Sequence, residues 1–352
     1  MELEHDFQII EDMLRQYNIL GAESLSFRDI VEKLMDGKLD QVYTMCKERI
    51  GQLMFGEILA NKNAMIQIFL IVIIGILFSN VATIFQNTYL GEAGFFVTYM
   101  LLFGVVATNY FTIGSMAQEA VERLLNFMKV LIPTYSIAVT TAAGVTTATV
   151  MYQSFMMLIG LLEWVLTYVV FPFIHLYFIL QMVNSMDVEP PLSKLAELIE
   201  KGIMVAGKTI LAVMVGFQMI QGILLPAVDS MGSTALRKGL EAIPGFGKGA
   251  GMVVNTMLGS SVIIKNSIGI AGMIIILIVM LGPIVKLGLF SFAYRVLIAV
   301  LQPVLDGRTM GCLNGVATVG KLLLHIVITA TTLFFLCMAI VAYSTNVNYY
   351  AA

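Results

Sequence analysis

Charge is what this chain has least of. Only 12% of its 352 residues are Asp, Glu, Lys or Arg, about half the share of a soluble domain, which excludes an ordinary solvated globule. Three cysteines, Cys46, Cys312 and Cys337, stand far apart without paired spacing, so neither a disulfide framework nor a zinc site is expected. A net charge of −3 leaves no basic footprint, which argues against nucleic acid as a partner. With three histidines and a single tryptophan, the chain shows no His/Glu metal spacing, no nucleophile and base pair, and no catalytic serine motif. No catalytic residue, cofactor or metal is therefore expected. What is present is apolar: 59% of the residues are hydrophobic and the mean hydropathy is +0.89. The fold class that follows is all-α, a polytopic helical membrane protein.

Residues 1–63 are of different material. They carry 12 of the 23 acidic residues and 7 of the 20 basic ones. Apolar positions recur at helical spacing (Phe7, Ile10, Met13, Leu14; Ile30, Val31, Leu34; Leu39, Val42, Tyr43, Cys46), which predicts three short amphipathic helices. Ser26 with Asp29 resembles a cap, and Gly21 and Gly37 mark breaks. No apolar leader precedes this segment, so the first crossing is expected to insert without one or after a leader is removed. The transmembrane domain then runs over 64–345, with a short tail at 346–352. Ala64 to Phe85 is a 22-residue uncharged run, enough to cross a core about 30 Å thick. Further crossings are expected near 95–114, 154–183, 202–228, 266–300 and 314–343, about six in all. Two interfacial helices are expected at 115–131 and 187–201, the first with Ala117, Ala120, Val121, Leu124, Leu125, Met128 and Leu131 along one face.

The stretch from Leu236 to Arg308 has an earlier echo. Pro244 and Pro283 bracket a small-residue segment and an apolar run, and Pro133 and Pro172 do the same at an identical interval. Each half thus reads as an interfacial helix, a small-residue helical hairpin (134–150 and 244–264) and a long kinked helix, the order expected of two tandem repeats. Prolines at the hairpin entries, Pro133 and Pro244, are expected to break the helix. Small residues would let backbones cross closely and present hydroxyls to water. The candidate cavity or pore residues are accordingly Thr141, Thr147, Glu163, Gly251, Ser260 and Lys265.

Gly202 to Thr209 satisfies the literal phosphate-loop pattern, yet an amphipathic helix precedes it and an apolar helix follows, where a strand and a loop are required. Gly315 to Lys321 repeats the Gly-x4-Gly-Lys spacing at the matching place. Two copies at the start of two membrane helices signify close packing and a snorkelling lysine. Lys208, Lys286 and Arg295 are expected near interfaces. Glu163, midway along its run, requires a cationic partner such as Lys265 or Lys321, or a proton, because a charge at membrane depth costs about 2.5–3.5 kcal/mol.

Several landmarks together resemble a known family. Ile243-Pro244-Gly245-Phe246-Gly247, Lys265-Asn266 with Gly269-Ile270-Ala271-Gly272, Pro283 with Lys286, Tyr294, Gln302-Pro303 with Asp306, and Cys312-Leu313 are similar to the stage III sporulation protein AE family of endospore-forming Firmicutes. The likeness is strongest over the last ~110 residues and extends as architecture over the rest. It implies a permease-like subunit of a channel complex in the mother-cell membrane around the forespore. Its implied partners are the other stage III A-operon proteins, including an ATPase and ring-forming channel proteins, and the forespore protein Q. A signal sequence, usual in the family, would place 1–63 outside, whereas charge asymmetry alone would place it inside; the resemblance favours outside. An autonomous small-solute transporter is the other function class compatible with paired hairpins, and a homo-oligomer stays open.

Overall fold

The computed structural model describes residues 2–16, 26–45, 88–187, 190–241, 247–303 and 307–345, with isolated positions between 47 and 73; for 2–6, 16, 88–92, 98, 223, 225–241 and 247–258 only the backbone course is described. The described elements are α1 (Glu2–Gln16), α2 (Phe27–Met35), α3 (Thr88–Ala143), α4 (Val145–Val165), a π turn (Leu166–Val170), α5 (Phe171–Asn184), α6 (Ser193–Glu241), α7 (Gly247–Leu301) and α8 (Gly307–Ser344). There is no strand among the described residues. The expected first crossing, the entry Pro244 to Phe246, Cys46 and the tail 346–352 lie outside them.

Local chemistry sets the two N-terminal helices. Ser26 accepts from the Asp29 amide at 3.4 Å and caps α2, while its hydroxyl donates to Glu11 of α1. At the other end Gly37, at φ +72°, closes α2. Its amide reaches the Leu34 carbonyl at 3.2 Å and that of Lys38 reaches Lys33 at 2.9 Å, the paired bonds of a Schellman motif, which favours glycine at the left-handed position. Phe7 and Phe27 meet edge to face at 5.5 Å. Ile10, Leu14, Phe27, Ile30 and Val31 are buried, with α1 packed on α3 and α2 on α7. These helices therefore rest on the membrane body.

Five of the described helical stretches are long and apolar enough to cross a bilayer: Ala93–Ala143, Val145–Asn184, Ser193–Gly222, Gly259–Leu301 and Gly307–Ser344. The contacts between them define the direction of each. Helix α3 runs antiparallel to α7, with Asn109 opposite Tyr294 and Leu131 against Gly272. Helices α7 and α8 form an antiparallel pair, in which Ser291 donates to the Ala317 carbonyl at 3.0 Å. Helix α5 lies antiparallel to α8, placing Gln181 on Gly315 and Ser185 on Gly311. Helices α6 and α8 are parallel neighbours: Gly207 faces His325 and Gly222 faces Ser344.

Several expectations change. The lead-in segments 115–131 and 187–201 are not separate interfacial helices, since α3 continues through the first and α6 begins within the second. No turn residue interrupts the hydrogen-bond ladder between the crossing and its extension, so the helix runs on. The apolar face predicted at Ala117 to Leu131 is nonetheless the buried one. Pro133 lies inside α3 and does not break it; the chain instead reverses ten or so residues later, at Gly144, whose φ of 113° only glycine adopts readily. Across that turn Ser136 donates to the Ala148 carbonyl at 3.1 Å. Pro172 sits in the first turn of α5, directly after the π turn, where the Phe171 amide bonds back to Leu166. A wider turn at that point accommodates the proline without ending the helix. Residues 247–264, expected as a hairpin, are the first part of α7.

Candidate functional site around a buried lysine

Four helices meet at the end of α8, and a lysine sits among them. Lys265 of α7 is fully buried; its ammonium donates to Thr345 Oγ1 at 2.7 Å and lies 3.4 Å from the Ala342 carbonyl. Thr345 Oγ1 in turn donates to the Val341 carbonyl at 2.6 Å. The last carbonyls of a helix have no partner within it and carry the negative end of its dipole. Lys265 therefore serves α8 as a cationic C-terminal cap supplied by the neighbouring helix. A charge in this position satisfies both requirements on buried ions, oxygen acceptors and opposing electrostatic field.

The surrounding shell is polar for a membrane interior. One turn beyond Lys265, Gly269 leaves room for the fully buried Tyr135 ring of α3, whose hydroxyl oxygen lies 3.3 Å from where a Cβ would stand. From α6 comes Gly222, one turn after the buried Gln218, which brings the backbone within reach of Ser344. The Tyr135 hydroxyl faces Thr345, and the Gln218 side-chain nitrogen is buried with no hydrogen-bonding partner among the described residues. The arrangement offers hydrogen bonds and a positive charge. No group of three potential metal ligands occurs among the described residues.

The other residues expected to line a cavity are dispersed. Glu163 pairs with Lys129 at 2.8 Å across the α3–α4 hairpin, not with Lys265 or Lys321. Lys129 is the nearer cation because the turn at Gly144 folds α4 back along α3. Both side chains are more than one third exposed. Lys321 pairs with Glu200 of α6 at 3.4 Å. Thr141 is exposed and donates to its own helix at Ala138, Thr147 is buried and Ser260 is exposed; Gly251 is known only as helical backbone in α7. The Thr134, Thr140 and Thr141 hydroxyls bond back to carbonyls three or four residues earlier in their own helix. Reading the sequence missed Thr345, Gln218 and Tyr135. The signal for Tyr135 was its place among small residues, where a large side chain needs a glycine opposite.

In the two Gly-x4-Gly-Lys motifs, Gly207, Gly315 and Gly320 lie at close helix contacts, whereas a Cβ at Gly202 would meet nothing within 4 Å. Gly202 to Thr209 is interior to α6 with Lys208 exposed, so no phosphate loop exists there. A Cβ at Gly207 would stand 3.0 Å from His325 Nε2, one at Gly315 2.8 Å from Gln181, and one at Gly320 2.9 Å from Phe290.

The comparisons with known proteins fit this architecture. The family described as stage III sporulation protein AE matches residues 25–345. The chain belongs to that family. It is 24% identical over 297 residues to the stage III sporulation protein AE of Bacillus subtilis (strain 168), covering 84% of this chain and 74% of that protein. No solved structure matches. Family membership implies a role in sporulation alongside other sporulation proteins, and the five long apolar helices make the chain a membrane protein. The family name carries no enzymatic activity.

Proposed function

We propose that the chain is a non-enzymatic, permease-like subunit of a trans-envelope channel complex, seated in the mother-cell membrane around the forespore. The observation that carries this reading is the family match over nearly the whole described body, on a protein whose helices cross the membrane. The operon's ATPase, its ring-forming proteins and forespore protein Q are the partners proposed. Residues 64–345 form the transmembrane domain in this reading, and 1–63 a module through which partners dock. The parallel pairing of α6 with α8 supports a tandem repeat about an axis along the membrane normal, and Lys265 is the proposed functional centre.

A second reading, an autonomous solute transporter, draws support from the same buried cation, since charges at membrane depth often mark substrate paths. Reconstitution in liposomes separates the two. A channel subunit gives no uptake of defined metabolites alone and co-purifies with the operon ATPase from sporulating cells. Saturable uptake by the chain alone, lost in Lys265→Met, would replace the subunit reading with the transporter.

A further inference from the structure

A second feature lies away from Lys265, between the N-terminal part of α3 and α5. A cavity of about 430 Å³ opens there along the outer surface. Tyr110 and Met182 are buried in its floor, while Phe103, Phe111, Ile179 and Val183 form lips between 37% and 61% exposed. Its inner end is closed by Tyr110, which stacks on Phe178 at 3.9 Å between ring centroids and hydrogen-bonds His175 Nδ1. From Tyr99 to Phe111 the groove follows 12 residues of α3, about 18 Å at the helical rise. That is long and narrow, the shape of a single acyl chain.

A cation stands at the other end. The guanidinium carbon of Arg308, at the start of α8, lies 3.4 Å over the centroid of the Phe95 ring. That ring is 5.7 Å from the ring of Tyr99, and Tyr99 lines the groove. Tyr99 is itself fixed, donating to the Met182 carbonyl across the two helices at 2.5 Å. Stacking on an aromatic face holds a guanidinium by its plane and leaves the in-plane N–H groups directed outward, the geometry suited to a phosphate. An apolar slot ending at an oriented arginine is complementary to one kind of molecule in a bilayer, an acyl chain joined to an anionic head.

We propose that this groove is a binding site for an anionic phospholipid, with one acyl chain between α3 and α5 and the phosphate against Arg308. The site bridges the start of α3, the end of α5 and the start of α8, so a lipid bound there fastens three helices at one end of the bundle. It is independent of the channel reading and of Lys265.

The full chain supplies a convenient probe because it has one tryptophan. Trp164→Phe combined with Ile179→Trp places the sole indole on the lip of the groove. In nanodiscs or mixed micelles, phosphatidylglycerol brominated on its acyl chains should quench this indole at roughly one fifth the concentration needed with brominated phosphatidylcholine, the preference one arginine near the surface confers. Adding Arg308→Gln should remove the preference while quenching by both lipids persists. Adding Ala107→Phe should fill the slot and reduce quenching by both, with thermal melting used to confirm a folded chain. Equal quenching by the two lipids before Arg308 is changed would overturn the proposal. So would a preference unchanged in Arg308→Gln, or no quenching at all, the result expected if a protein helix covers the groove.

Discussion

Replacing Lys265 by methionine separates a structural from a functional lysine. The substitution keeps an unbranched side chain, one heavy atom shorter, and removes its charge. Among the bonds it loses are a charge-assisted one to Thr345 at 2.7 Å and a longer one to the Ala342 carbonyl at 3.4 Å; a hydrogen bond to a charged group contributes about 1.5–3 kcal/mol. Against this stands the desolvation of an ammonium that is wholly buried, which costs several kcal/mol, roughly the same size. Thr345 keeps its bond to Val341 at 2.6 Å, so no hydroxyl donor is stranded. The terms nearly cancel, and Lys265→Met should melt within a few degrees of the parent, on the scale of about 1 kcal/mol. Lys265→Glu should instead destabilise by about 3–5 kcal/mol, because a carboxylate would face the negative end of α8. If Lys265 is the functional centre, the methionine variant remains folded in detergent yet lowers heat-resistant spore counts. Normal spore counts from a folded Lys265→Met protein would refute that assignment and leave the lysine as a helix cap.

Further expectations concern packing and the N-terminal module. Gly320→Val puts a Cβ where 2.9 Å separates it from Phe290 and should destabilise the α7–α8 pair by about 1–3 kcal/mol, seen as a lower melting temperature. Lys208→Met should leave the ATP turnover of any partner unchanged and should bind nucleotide no less than the parent, which is expected to bind none; equilibrium dialysis with labelled ATP checks this. Ser26→Ala removes the cap of α2 and should cost about 1 kcal/mol, read by protease sensitivity of the N-terminal helices.

Sequence patterning revealed most where periodicity and backbone chemistry agree. The seven positions from Ala117 to Leu131 lie on the buried face as their spacing predicts, and Ser26 caps while Gly37 turns, because both acts depend on local geometry alone. The close contacts at Gly315 and Gly320 were also legible, since small residues at helical spacing announce an approaching neighbour. Breaks were read less well. Pro133 removes a single ladder bond, which a long apolar helix tolerates, and the reversal fell to Gly144, where a positive φ is required. Ionic partners depend on how the chain returns: Glu163 meets Lys129 because α4 folds back along α3. No local pattern distinguishes that cation from Lys265 or Lys321. The cap that Lys265 provides to α8 spans 80 residues of sequence, beyond the reach of any spacing rule.

The compartment of action is the most direct test of the sporulation role proposed for this chain. In an endospore-forming host lacking its own family member, the chain is expressed from a promoter active only in the mother cell or only in the forespore, and a forespore-specific reporter is followed after engulfment. A subunit seated in the mother-cell membrane restores the reporter from the mother-cell promoter alone. Equal rescue by forespore-only expression would contradict it.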